Sequence, residues 1–295
     1  MGRITARRRV ARITVGERVS VREDYLAVEE PLEIRVGHRP LTITMRTPGH
    51  DIELAQGFLV SEGVIHRPDH VLAARHCAGE EENTYNVLDV TLDPRLPPID
   101  AGLERAFYTT SSCGVCGKAS IDAVRTVSAF DVHDDATVVD ASFLATLPIR
   151  LRAGQSVFDK TGGLHAAALF DTRSGEMLVL REDVGRHNAV DKVVGWALAA
   201  GRLPGRGLVL AVSGRASFEL TQKASMAGIP LLAAVSAPSS LAVSMAEDAG
   251  MGLVGFVRDN RMVVYAGRER VTNSTDAEHA VVPGARPGAE EARLA

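Results

Sequence analysis

Leu208-Val209-Leu210-Ala211-Val212, Pro230-Leu231-Leu232-Ala233-Ala234-Val235 and Leu253-Val254-Gly255-Phe256-Val257 are three short runs with no charged residue on either face. Between them, Ser217 to Ala227 and Leu241 to Ala249 carry helical spacing. Strands that are apolar on both sides and alternate with helices predict a parallel sheet covered on both faces. Met262-Val263-Val264-Tyr265 closes the series. The fold class is therefore α/β.

Working back from this block, His165 to Phe170 and Glu176 to Leu180 read as two strands joined by the hairpin loop Asp171-Thr172-Arg173-Ser174-Gly175. A helix is expected from Asn188 to about Ala200, with Asn188 and Asp191 spaced as a capping box. Asp140 to Val157 reads as a helix interrupted at Pro148, and Lys118 to Ala129 as another. Earlier still, Glu30 to Val36, Leu41 to Arg46 and Asn86 to Leu92 alternate polar and apolar, as half-buried strands do. Between the second and third of these, Asp51 is the expected cap of a helix carrying Ile52, Leu54, Ala55, Phe58 and Leu59.

These elements divide the chain into four parts. Residues 1–22, with seven arginines, read as a disordered basic arm. Residues 23–100 read as a small β-rich α+β subdomain, and 101–271 as the α/β domain. Residues 272–295, rich in glycine, proline, alanine and charge, read as a disordered tail.

At 295 residues, 45% apolar and 24% charged, the composition is that of a globular protein. A net charge of −4 gives no reason to expect nucleic acid or an anionic membrane as partner. No apolar run is long enough to span a bilayer, and the arginine-rich start lacks a signal core. Three cysteines do not make a disulfide framework, so the expected location is cytoplasmic, with reduced thiols.

Two of those cysteines share one loop, Ser111-Ser112-Cys113-Gly114-Val115-Cys116-Gly117-Lys118. Small flanking residues leave the sulfurs reachable, and Lys118 with the following helix start favours thiolate. Three chemistries fit such a pair: zinc, redox exchange and sulfur carriage. Structural zinc asks for a second ligand pair, and only Cys77 beside His76 is on offer. Spacing does not separate redox from sulfur transfer.

In an α/β sheet the ligand crevice lies at the carboxyl ends of the parallel strands. The strand exits here are Ser213-Gly214-Arg215-Ala216-Ser217, Ser236-Ala237-Pro238-Ser239-Ser240 and Arg258-Asp259-Asn260-Arg261. Serines opening into helix starts, with Arg215, Arg258 and Arg261 beside them, suit a phosphate-bearing ligand. No GxGxxG follows a strand and no GxxxxGK[ST] occurs. His165 at a strand start and His187 in the polar cluster Glu182 to Asn188 are the titratable candidates.

Taken together, these motifs resemble the formate dehydrogenase accessory sulfurtransferase family called FdhD. The likeness runs over about residues 25–267 through Ser61-Glu62-Gly63, the Cys113–Cys116 loop, Thr161 to Ala168, Glu182 to Lys192, Ser213 to Leu220 and Ala234 to Ala237. It implies a cytidine-deaminase-like layered sheet with helices on both faces, preceded by a small β-rich N-terminal subdomain, in a homodimer. It implies a sulfurtransferase that takes persulfide sulfur from a cysteine desulfurase and delivers it to bis-molybdopterin guanine dinucleotide for the formate dehydrogenase catalytic subunit. Carried over residue by residue, Cys113 bears the persulfide with Cys116 assisting. The guanine dinucleotide, with GDP as its mimic, falls to Phe256, Val257, Arg258, Asp259, Asn260 and Arg261, joined by Ser213, Arg215, Ser236 and His187. No resident metal is expected. The deaminase His-x-Glu and Pro-Cys-x-x-Cys pair is missing, which argues against deamination. The other reading is a non-catalytic cofactor-binding chaperone with a structural zinc at Cys113 and Cys116.

Overall fold

The computed structural model describes residues 4–77, 85–99 and 128–273. Its centre is a six-stranded sheet built from β8 (His165–Asp171), β9 (Met177–Asp183), β10 (Leu208–Val212), β11 (Leu231–Ala234), β12 (Gly252–Arg258) and β13 (Arg261–Ala266), in the order β13-β12-β11-β10-β8-β9. The three apolar runs form the parallel centre, β10 beside β11 beside β12. On the flanks, β8 pairs antiparallel with β10, and β13 with β12. The sheet is therefore mixed: β13 returns from β12 through a hairpin, which reverses direction, and β8 lies antiparallel beside β10 with β9 and α4 between them in the chain.

Successive residues along these strands feed two different cores. Leu210, Val212, Leu232, Ala234 and Leu253 pack on one side, Val209, Ala211, Leu231, Ala233 and Val254 on the other. The first side is covered by α4 (Arg186–Ala199), α5 (Phe218–Met226) and α6 (Ser240–Asp248). The second is covered by α2 (Ala141–Gly154) through Leu144, Leu147 and Leu151. Pro148 lies inside that helix without breaking it. One lost hydrogen bond is outweighed by the three buried leucines on either side of it. The short strand β7 (Val139–Asp140) precedes α2, and a one-turn helix, α3 (Phe158–Thr161), leads into β8.

The β-rich N-terminal part is a four-stranded sheet in the order β4-β3-β6-β5. Its strands are β3 (Glu30–Val36), β4 (Arg39–Arg46), β5 (Val71–His76) and β6 (Val87–Leu92). Between this sheet and α4 lies α1 (Asp51–Ser61), so Leu32, Ile34, Leu54, Leu88, Ala189 and Leu210 belong to one continuous core. The joint is a close crossing of α1 on α4. A Cβ on Gly57 would overlap the Asp191 carbonyl, and one on Gly195 would overlap the Glu53 carbonyl. Among the described residues, no helix is long and apolar enough to cross a membrane.

Three local expectations change. The basic arm forms β1 (Thr5–Arg12), paired antiparallel with β2 (Ser20–Ala27). The ladder sets Arg8 opposite Asp24 and Arg9 opposite Glu23, and Arg7 meets Glu23 at 3.8 Å and stacks on Tyr25, so the arm is paired along its length with a strand that carries acidic residues. Asp51 does not cap α1. His50 holds that position in a left-handed conformation, while the Asp51 carboxylate accepts two bonds from the buried Arg46 guanidinium. Asn188 and Asp191 form no capping box, because α4 starts two residues earlier and both side chains turn inward to distant partners. The predicted helix Lys118 to Ala129 lies almost wholly outside the described residues.

The helix crossing gives a direct stability test. Alanine is the better helix former by about 1 kcal/mol, whereas forcing atoms into a packed crossing costs about 1–3 kcal/mol. Gly57→Ala should therefore lower the thermal midpoint by several degrees, measured by calorimetry. Gly163→Ala, whose Cβ would meet nothing nearer than 3.8 Å, should leave it almost unchanged.

Candidate functional site at the strand exits

All three parallel strands end at the same edge, and backbone bonds join their exits. The Ser236 N–H donates to the Gly214 carbonyl at 3.3 Å, and the Phe256 N–H to the Ser236 carbonyl at 3.2 Å. Ala216 bridges Pro238, and the Ser239 N–H donates to the Ala216 carbonyl. Because β8 runs against β10, its first residue lies at this edge, where the Ala166 N–H donates to Ser213 Oγ at 2.9 Å. His165 pairs with Asp183 at the end of β9, and its ring lies beside Gly214. From Asp183 the chain turns at once into α4, which delivers Arg186 and His187 to the same place.

The structure thus gathers Ser213, Ser236, Phe256 and the start of α4 around one edge, and Arg215 is exposed there. Phe256 stands at a bulge between Gly255 and Arg258 with φ of 52°, a strained conformation for a bulky residue. Bulges re-aim side chains, and strain of this kind gathers at functional positions. The Arg258 guanidinium lies 5.8 Å from the Phe256 ring centroid. Asp259 and Asn260, with φ of 51° and 56°, form the two-residue turn into β13, a conformation Asp and Asn tolerate well. Val257 points the other way, buried against α2 in the opposite core. Cys113 and Cys116 lie outside the described residues.

A buried salt bridge fixes the start of α4. Asp183 is 0% exposed and Lys192 1%, with Lys192 Nζ 2.6 Å from the carboxylate. That carboxylate also accepts from the Thr47 and Gly185 N–H groups and from Asn188 Nδ2. Burial pushes the Asp183 carboxyl above its ordinary range, opposed by Lys192 and these donors. Burial, reinforced by Arg186 and His187, holds His165 below its ordinary value, so its imidazole is neutral at neutral pH.

One residue of this edge was not singled out by residue type and spacing. Glu219 lies in the first turn of α5, with His187 Nε2 3.7 Å from its carboxylate. The only pointer to it was a carboxylate one turn into a helix that follows a strand exit. The His187 contact, ahead of an opposing burial effect, draws Glu219 down to about 2. Among the described residues, Arg186 Nε, His187 Nε2 and Ser217 Oγ are buried without a hydrogen-bond partner. Buried polar atoms left unpaired cost about 1–3 kcal/mol each, and three such atoms belong to residues at the starts of α4 and α5.

A sequence model of the FdhD/NarQ family matches residues 27–272, and the chain belongs to that family. It is 59% identical over 271 residues to a Mycolicibacterium paratuberculosis protein named sulfur carrier protein FdhD, covering 91% of this chain and 99% of the relative. It is 60% identical to a Streptomyces avermitilis protein of the same name, covering 92% and 97%. The fold matches a crystal structure of a putative formate dehydrogenase accessory protein from Desulfotalea psychrophila with a TM-score of 0.71 at 21% identity, covering 92% of this chain and 100% of that one.

The Glu219 contact predicts a defined acid sensitivity. Its folded-state value, about 2, lies below the ordinary 4.5, so its contribution to stability is complete above about pH 4.5 and fades towards pH 2. Denaturant midpoints measured across this window should fall less steeply for Glu219→Gln than for the unaltered protein. Parallel slopes would contradict the contact.

Proposed function

We propose that this chain is a sulfurtransferase acting in the cytoplasm as a persulfide carrier. Cys113 accepts sulfane sulfur from a cysteine desulfurase, Cys116 assists, and the sulfur passes to bis-molybdopterin guanine dinucleotide destined for the formate dehydrogenase catalytic subunit. In the loading step the Cys113 thiolate attacks the terminal sulfur of the donor persulfide. The donor S–S bond breaks, its electron pair returns to the donor cysteine as thiolate, and a new S–S bond forms on Cys113. This loading exchange needs no external oxidant or reductant.

The observation that carries this reading is the strand-exit edge. A large phosphate-bearing cargo needs unpaired polar donors and cationic side chains on a rigid frame. Among the described residues, Arg186 Nε, His187 Nε2 and Ser217 Oγ are such unpaired atoms, and Arg215 and Arg258 are exposed at the strand exits. The cargo supplies the metal-sulfur chemistry. The chain's own residues hold its guanine dinucleotide end: Ser213, Arg215, Ser236, His187, Phe256 and the turn Arg258 to Arg261, while Val257 faces the opposite core. Relatives about 60% identical bear the name sulfur carrier, which supports the same reading.

Mass spectrometry after incubation with a cysteine desulfurase and cysteine tests it. The peptide holding Cys113 and Cys116 should gain about 32 daltons, one sulfur atom, as a persulfide. Cys113→Ala should abolish the adduct and the activation of formate dehydrogenase. Stoichiometric zinc lost with either cysteine, and no adduct, would favour the chaperone with a structural metal instead.

A further inference from the structure

The ribbon of β1 and β2 stands apart from both cores, and the family match begins only at its last residue, 27. Its root is tied down, with the Val28 N–H donating to the Ile4 carbonyl. Among the described residues, β1 pairs with β2 on one side and with no strand on the other. A lone two-stranded ribbon is marginal in water, and three strands with an apolar face are needed for a sheet to stand by itself. The open side of β1 is a row of backbone donors and acceptors, which is a template for a further strand.

Charge along this edge is one-sided. β1 carries Arg7, Arg8, Arg9 and Arg12 and no acid, while β2 answers with Glu23 and Asp24 but adds Arg22. Five arginines against two acids leave the two strands at +3. Alternation puts Arg7 and Arg9 on one face and Arg8 and Arg12 on the other, so a strand laid along β1 meets arginine on both faces. Towards the turn the first face becomes apolar. Ala11 lies opposite Val21 there, and Ile13 and Val19 follow one residue beyond the last pair. Ile13, Val19 and Val21 are 69%, 58% and 60% exposed.

We propose that the outer edge of β1 docks an extended acidic segment of a partner protein as a third strand. The backbone of that segment pairs with β1, its carboxylates meet the four arginines, and an aliphatic end covers Ala11, Ile13, Val19 and Val21. In strand addition of this kind main-chain bonds supply affinity and alternate side chains supply selectivity. An edge this basic turns away neutral and basic strands, including the β1 of another copy. A nucleic acid fits less well, because it leaves the aliphatic end bare. It also meets a chain whose residues 29–295 hold 26 basic and 34 acidic side chains, a net −8. A bilayer fits less well because Glu17 sits in the turn and Glu23 on the aliphatic face. This docking is independent of the cargo reading.

The probe is a short fluorescein-labelled peptide with a glutamate-rich half and a valine-rich half. Anisotropy titration of the full chain should show saturable binding that weakens as salt rises. A copy with lysine for glutamate, and a copy N-methylated at alternate backbone positions, should not bind. Arg9→Gln combined with Arg12→Gln, both exposed positions, should weaken binding about fivefold. Hydrogen–deuterium exchange in residues 5–12 should slow with the peptide bound, and the six-stranded sheet should stay unchanged. Should the double variant not fold, the three peptides on the unaltered chain still decide. No binding, equal binding of the lysine copy, or equal binding of the N-methylated copy overturns the proposal. So does a single-stranded oligonucleotide, or a phosphatidylglycerol vesicle, that binds through the same arginines more tightly than the peptide.

Discussion

The arrangement depends on one buried ion pair. Asp183 and Lys192 meet where the last residue of β9, the loop after β4 and the second turn of α4 come together. Lys192 also donates to the Thr47 carbonyl, and Asn188 to the Met45 carbonyl, so the N-terminal sheet is tied to the start of α4. Replacing such a pair with apolar residues is often energetically neutral, but breaking it leaves a buried charge at a cost of about 3–5 kcal/mol. Its value here is positional. It sets the angle at which Arg186 and His187 reach the strand exits.

A second pair on the next helical position works alongside it. Asp191 accepts from Lys223 at 2.7 and 2.8 Å and from Ser61 at 2.8 Å, joining α4 to α5 and α1. The two consecutive residues Asp191 and Lys192 thus reach in different directions and lock three helices and a loop. With Gly57 and Gly195 allowing α1 and α4 to touch, the two sheets share one core. The edge that bears His187 and Glu219 is accordingly a rigid one, as a site that must hold a cargo in register requires.

The parallel centre of the sheet was legible in the sequence because its strands are apolar on both faces, a pattern few other elements produce. The exits at Ser213 and Ser236 followed from where those strands stop. The β8–β9 flank was legible as a hairpin but not as a member of the same sheet, since pairing of β8 with β10 is a long-range choice. Asp51 and Asn188 misled for a related reason. Each has the residue type of a cap, and each is used instead by a partner that local spacing does not reveal, Arg46 for one and Asp183 with Met45 for the other. Glu219 was hidden in the same way, because an acidic residue in the first turn of a helix is ordinary until His187 is seen beside it.

The central claim is that the strand exits form the platform for a guanine-bearing cargo. Hydrogen–deuterium exchange with and without saturating GDP tests it most directly. Exchange should slow in peptides covering residues 185–188, 213–220, 236–240 and 256–261, and stay unchanged in the four-stranded sheet. Protection confined to that sheet, or its absence at all of the strand exits, would contradict the account.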